Sequence, residues 1–139
     1  MKFSYERFPP DDDPVYFPTL KVTVINPKTK KPYLDYKVLV DSGAVAPVFH
    51  AWVGEAIGLD IKKGKKLRLL GVTTGKGEQF VHEVDIIVGG NEIKLEVGFS
   101  YNLKFPFGLL GQRGFFEKNR ICFDLPVGDF EINPKTRKR

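Results

Sequence analysis

Among its 139 residues the chain has one cysteine, one methionine, one tryptophan and two histidines. A lone Cys122 has no partner for an internal disulfide, so no disulfide framework holds this fold. That usage fits a reducing, cytoplasmic compartment. No apolar run approaches the roughly 20 residues that cross a bilayer, so no membrane partner is expected. Residues Met1-Lys2-Phe3-Ser4-Tyr5-Glu6-Arg7 lack the apolar stretch of a secretory signal. His50 and His82 stand far apart and keep no metal-ligand spacing, and neither His-Glu-x-x-His nor Cys-x-x-Cys occurs. No metal and no cofactor is therefore expected. Two histidines leave little material for a Ser-His-Asp arrangement, and no Gly-x-Ser-x-Gly surrounds Ser42. Cys122 reads as a small buried hydrophobe, since no base is placed to activate its thiol. Gly75 and Gly77 complete no phosphate-binding pattern and precede no helix.

What is present describes a soluble globular chain, 42% hydrophobic and 28% charged, with 12 phenylalanines to furnish a core. Its length suits one domain. The net charge of +5 gathers in three clusters: Lys28, Lys30 and Lys31; Lys62, Lys63, Lys65, Lys66 and Arg68; Lys135, Arg137, Lys138 and Arg139. Clusters of this size commonly mark solvated loops and tails. They are not interleaved with aromatics as in nucleic-acid modules, so nucleic acid is not the expected partner.

Residues 1–18 hold Pro9, Pro10, Pro14 and Pro18 and the run Asp11-Asp12-Asp13. Prolines remove donors and disfavour regular structure, so this is read as an extended arm anchored by Phe3, Tyr5, Phe8, Tyr16 and Phe17. Alternation of Leu20, Val22 and Val24 with polar residues predicts a strand over 19–25. After the turn residues around Asn26-Pro27-Lys28, a second strand runs from Tyr33 to Val40. Val48, Phe49, Trp52, Val53, Ala56 and Ile57 recur at helical spacing, closed by Gly58, and predict a short helix. Strands follow over 66–72, 79–88 and 92–99, the last two joined by Gly89-Gly90-Asn91. Between the first two, Thr73-Thr74-Gly75-Lys76-Gly77 makes a glycine-containing tip. Gly108-Leu109-Leu110-Gly111 is a short apolar segment between glycines. One or two helical turns over 112–119 and a strand over 120–125 precede a basic tail. The expected organisation is an arm at 1–18, a domain at 19–129 and a tail at 130–139, with a mostly β fold.

Val38-Leu39-Val40-Asp41-Ser42-Gly43-Ala44 puts a carboxylate at the end of an apolar strand, where loops on a rigid sheet carry function. Bare Asp-Ser-Gly is also ordinary turn chemistry. Followed by a helix, a glycine-tipped hairpin and Leu109-Leu110-Gly111, it resembles the retropepsin-like aspartic proteases, over roughly residues 19–125. In that resemblance Asp41 is the catalytic acid. Ser42, Gly43, Ala44, Leu110 and Gly111 support it. Val72, Thr73, Thr74, Gly75, Lys76 and Gly77 form the flap over the substrate. It departs from the family at Val45-Ala46-Pro47, where retroviral members carry polar residues and a threonine, and at Gln112, where arginine, asparagine or aspartate is common.

The resemblance implies a single-domain closed β-barrel with one short α-helix after the catalytic loop. It also implies an aspartic endopeptidase. Such chemistry needs two carboxylates that share a proton. No other aspartate here is followed by Ser/Thr-Gly, so the site would lie between two protomers of a homodimer acting on a peptide or protein. The alternative is a non-catalytic dimerisation or binding module of the same fold, whose basic surface meets an acidic partner or nucleic acid.

Overall fold

The computed structural model describes residues 1–68 and 77–135. The expected flap residues Val72, Thr73, Thr74, Gly75 and Lys76, and the basic residues Arg137, Lys138 and Arg139, lie outside the described residues.

Residues 1–18 are more ordered than an extended arm. They form β1 (Lys2–Ser4), β2 (Glu6–Phe8) and β3 (Val15–Phe17), with β2 and β3 paired as a small antiparallel hairpin. Phe8 and Phe17 meet edge to face at 5.3 Å, and Phe8 also reaches Phe107. The aromatic anchors thus hold the proline-rich stretch against the barrel described next.

The alternating apolar segments become β4 (Thr19–Ile25) and β5 (Pro32–Val40), an antiparallel pair. Leu20, Val22, Val24, Tyr36, Val38 and Val40 enter the core. A bulge between Val22 and Val24 sets Leu34 out in solvent and puts Asp35 at φ 55. Buried Asn26 follows β4. Its Nδ2 donates to the Ile57 carbonyl at 2.9 Å, while its Oδ1 accepts the Lys28 N–H.

The predicted helix is shorter than its periodicity suggested. Val48–His50 form a strand, β6, and only Ala51–Ala56 form helix α1. β6 is covered on both sides, which a helical stripe cannot be, and Trp52 is half exposed instead of facing in. Gly58 caps the helix at φ 88, as its sequence position predicted. A tight turn at Ile61–Lys63 leads to β7 (Lys65–Arg68), β8 (Glu78–Val88) and β9 (Asn91–Ser100). Gly89 and Gly90, at φ 53 and 88, make the β8–β9 turn. β10 (Gly108–Leu110), a helical turn at Gln112–Phe116 kinked at Arg113 and Gly114, β11 (Asn119–Asp124) and β12 (Asp129–Pro134) complete the chain.

The main sheet runs β4-β5-β10-β6-β9-β8 and closes by a β4–β8 pairing, so six strands make a closed barrel with β7 outside β8. Closure removes the open edges of the sheet. Its core is apolar, with Phe49, Phe99, Phe115 and Ile86 fully buried. The fold is mostly β and that of a retropepsin-like barrel.

A second sheet, β1-β12-β11, packs against it. Residues 130–134, expected in the tail, are strand, because Phe130 and Ile132 are buried in the core and Phe130 stacks on Phe3 and meets Tyr5 edge to face. Cys122, expected to be buried, is exposed. It stands opposite Glu131 on β12, so it falls on the face away from Phe130 and Ile132.

Candidate active site

Asp41 follows the last residue of β5. β10 lies parallel beside that strand, with Leu109 opposite Leu39 and Leu110 opposite Val40. The Asp41 N–H donates to the Leu110 carbonyl at 3.0 Å, and the Val40 N–H to the Pro18 carbonyl at 3.0 Å. The backbone entering the loop is therefore held from both sides. Leu110 is fully buried and holds its strand in the core.

The loop closes on itself as Asx chemistry predicts. The Gly43 N–H donates to Asp41 Oδ1 at 2.9 Å, and the Ala44 N–H to the Asp41 carbonyl at 3.2 Å. Asp41 is half-buried, and Ser42 and Gly43 are exposed. The carboxylate is thus oriented by a backbone donor at the rim of the barrel.

The segment after β10 binds the far side of the loop. Gln112 N–H donates to the Ala44 carbonyl at 2.9 Å, and Arg113 N–H to the Val45 carbonyl at 2.9 Å. Gly111 lies so close that a Cβ there would sit 2.6 Å from the Ala44 oxygen and 2.9 Å from the Ala46 nitrogen. Its backbone is ordinary and extended, φ −110 and ψ −166, so the glycine is required by space. The structure therefore brings together Asp41, Ser42, Gly43, Ala44, Leu110 and Gly111. Gly77, at φ 67, begins the return into β8.

Two contributors were given no supporting role from sequence. Gln112 Nε2 donates to the Ser42 carbonyl at 2.8 Å, so the side chain after Gly111 clamps the loop directly. Its position right after the apolar-apolar-Gly segment was the available signal. The second is a buried bridge behind β10. Tyr36 Oη accepts the His50 N–H at 3.0 Å and lies 2.7 Å from His50 Nδ1. His50 Nε2 lies 2.7 Å from the Phe105 carbonyl, which only accepts. Nε2 therefore carries the proton, and Tyr36 donates to Nδ1. Burial holds His50 below its ordinary 6.5, with the Phe105 carbonyl pulling the other way, and burial drives the Tyr36 hydroxyl far upward. Gly108 sits against this bridge, where a Cβ would stand 2.6 Å from Tyr36 Oη. His50 is thus a neutral brace between β5, β6 and the approach to β10.

The β2–β3 hairpin is tied to the outer face of β5 in a similar way. Glu6 accepts from Thr19 Oγ1 at 2.5 Å and pairs with Lys37 at 2.6 Å. Burial pushes its carboxyl up, but the bonds from Lys37 and Thr19 and the charges of Lys37 and Lys21 together hold it below its ordinary value.

Beyond Ala46 and Pro47 a cavity of about 580 Å³ opens between the loop, the outer faces of β8 and β9 and the turn at Arg113 and Gly114. No group of three or more potential metal ligands occurs among the described residues. No described helix is long and apolar enough to cross a membrane.

No family model matches this chain, and no curated protein matches it. Solved structures do. A retropepsin-like aspartic protease from Rickettsia conorii superposes with a TM-score of 0.58 at 15% identity, over 95% of this chain and 96% of that one. EIAV protease, solved with the inhibitor HBY-793, gives 0.46 at 21% identity over 73% and 86% of the two chains. Simian foamy virus (mac) protease gives 0.44 at 18% over 69% and 89%. At such identities the likeness is one of fold, and the first comparison carries it along nearly the whole length of both chains.

Proposed function

We propose that this retropepsin-like chain is an aspartic endopeptidase, active as a homodimer in which each protomer contributes Asp41. The observation that supports it most is the locked loop. A carboxylate is oriented by the Gly43 N–H at the rim of a closed barrel, with its backbone tied to β10 and to Gln112. A merely structural turn needs neither the exposed Ser42-Gly43 nor a glycine wedged against the loop backbone at 111.

One carboxylate cannot both take a proton from the attacking water and give one to the carbonyl oxygen. Two across a two-fold axis can, since like charges a few ångströms apart share one proton. The ionised carboxylate takes a proton from water as its oxygen attacks the peptide carbonyl carbon. The protonated one gives its proton to the carbonyl oxygen. Collapse of the tetrahedral intermediate breaks the C–N bond and moves a proton to the leaving nitrogen. A C2 interface is self-complementary, so one patch supplies both halves. Ser42 hydrogen-bonds across the axis in this reading, and Gly43 gives the peptide backbone room to approach. Val72, Thr73, Thr74, Gly75, Lys76 and Gly77 are the residues proposed to cover an extended substrate and add main-chain hydrogen bonds.

Asp41→Asn keeps the acceptor for the Gly43 N–H and removes the acid. Peptide cleavage is lost in a library digest from acidic to neutral pH, while circular dichroism and melting are retained. Cleavage that persists in Asp41→Asn, or a strictly monomeric protein in light scattering that still cleaves, refutes the reading. The rival is a non-catalytic binding module. It draws on the exposed basic run Lys62, Lys63, Lys65, Lys66 and Arg68. Salt-sensitive nucleic-acid binding without any cleavage by the wild type would favour it.

A further inference from the structure

We propose that Gln79 is a specificity-determining residue. Its side-chain amide donates a hydrogen bond to an acceptor-tipped side chain of the bound peptide, seated in the cavity beyond Ala46 and Pro47. The class of occupant is a carboxamide or carboxylate side chain, Asn, Gln, Asp or Glu. This inference rests on the endopeptidase reading for the identity of its ligand.

Gln79 lies on the outer face of β8 and lines the cavity. It is only 4% exposed, and its Nε2 is a buried polar atom with no hydrogen-bond partner. Buried side-chain amides are nearly always paired, so an orphaned donor in a cavity wall calls for an explanation. The explanation offered by position is a missing acceptor. Gly98 on β9 stands beneath the amide, and any side chain there would collide with Gln79 Oε1. The Gly98 N–H donates to the Pro47 carbonyl at 3.0 Å, which ties this point of β9 to the segment leaving the Asp41 loop. The glycine, the orphaned amide and the loop therefore meet in one wall.

A donor in that wall selects among side chains. Asn, Gln, Asp and Glu offer an acceptor at their tips, aliphatic side chains offer none, and Lys and Arg bring only further donors. A volume of about 580 Å³ is ample for one side chain of a peptide. Of the cations in the cavity wall, Lys94 is engaged by Asp85 at 3.1 Å and Glu83 at 3.7 Å, and Lys118 donates to the Lys94 carbonyl, while Lys65 and Arg113 also line the wall. Substitutions at Gln79 leave these charges in place, so they separate the part of the amide from that of the cations.

Two measurements test this. The first needs no ligand. Gln79→Met keeps the side-chain length and removes both donors, so the melting temperature of the free protein rises by about 2–6 °C. A fall would mean that the amide is satisfied in the free protein, and would overturn the proposal whatever the activity. The second uses Asp41→Asn to allow binding without cleavage. Fluorescence polarisation compares extended peptides carrying Asn, Gln, Asp or Glu with the same peptides carrying Leu or Met at each position. One position shows a preference of about tenfold for the acceptor, and adding Gln79→Met abolishes it. Gln79→Glu, which exchanges donors for acceptors, turns the preference towards Lys and Arg, and serves if the methionine variant does not fold. A preference that is absent, or unmoved by both variants, overturns the Gln79 assignment while cleavage by the wild type leaves the endopeptidase reading intact. A wild type that neither binds nor cleaves any peptide overturns both.

Discussion

Gly111→Ala tests whether the segment after β10 really clamps the acid-bearing loop. The added methyl would stand 2.6 Å from the Ala44 oxygen, 2.9 Å from the Ala46 nitrogen and 3.0 Å from the Ala44 carbon. All three are backbone atoms, so no side chain can turn away and relieve the overlap. Either the strand end or the loop must retreat by several tenths of an ångström. Overpacking of this kind costs about 1–3 kcal/mol. The retreat also stretches the Gln112-to-Ala44 and Arg113-to-Val45 bonds, both 2.9 Å now. Each is worth about 0.5–1.5 kcal/mol net. The sum is about 3 kcal/mol, which for a domain of this size lowers the melting temperature by about 10 °C. Strain does not confuse the reading, because φ at Gly111 is −110 and suits any residue. Gly90→Ala is the matched control. It has open space but a φ of 88, and should cost about 1–2 kcal/mol from conformation alone. Urea and thermal unfolding of the two variants decide the matter. A Gly111→Ala protein within about 0.5 kcal/mol of wild type, a margin typical of inert surface changes, would mean that the loop and the strand end are not in contact.

Gly43→Ala separates site from fold. A Cβ at 43 would sit 3.2 Å from Asp41 Oδ1, a side-chain atom that can rotate. Stability should stay within about 1 kcal/mol of wild type, since only a flexible neighbour must give. Peptide cleavage should fall at least tenfold, as the carboxylate leaves its line; unchanged cleavage would show that the Asp41 orientation does not matter. His50 gives a pH test. The folded protein holds it neutral below its ordinary 6.5, whereas the unfolded chain takes up a proton near that value. Its contribution is complete above about pH 6.5 and is lost as the pH falls from there through the depressed native pKa. His50→Gln should therefore narrow its stability gap to wild type between pH 7 and pH 5. A gap of constant width in urea titrations would contradict the neutral bridge from Tyr36 to Phe105.

The parts of this fold that could be read directly are those whose signal is local. β4, β8 and β9 carry alternating apolar residues along seven or more positions, and Gly89-Gly90 states its turn in two letters. The Asp41 loop was legible for the same reason, because its Asx closure is built from neighbouring residues. β6 was not. Val48 and Phe49 fall on the same helical spacing as Trp52, Val53 and Ile57, and a strand of three residues cannot show a period of two. What makes them a strand is parallel pairing with Gly98–Ser100 and a contact with Leu109, about 50 and 60 residues away. Gln112 was seen only as a departure in residue type, since its grip on the Ser42 carbonyl spans 70 residues of sequence. The unpaired amide of Gln79 is a property of packing that no local pattern states.

The termini show the same limit and bear on how a second copy would dock. The two ends of the chain, expected as an arm and a tail, pair with each other as β1 and β12. Phe3 stands opposite Phe130 and Lys2 opposite Glu131, with β11 on the other side of β12. The last strand therefore has both its hydrogen-bonding edges filled by its own chain. A strand from another copy has no place beside β12 unless β1 or β11 leaves. Displacing β1 would uncover Phe130, which is 1% exposed and stacked on Phe3 at 5.5 Å. Burial of a phenylalanine of this kind is worth about 1.5–3 kcal/mol, a cost that each protomer of an exchanged pair must recover from its partner. The outer edges of β1 and β11 carry no such cost, and neither does the exposed turn Ser42-Gly43. In the dimer reading, contact between the two loops has to come first, and the terminal sheets add to it from their outer edges.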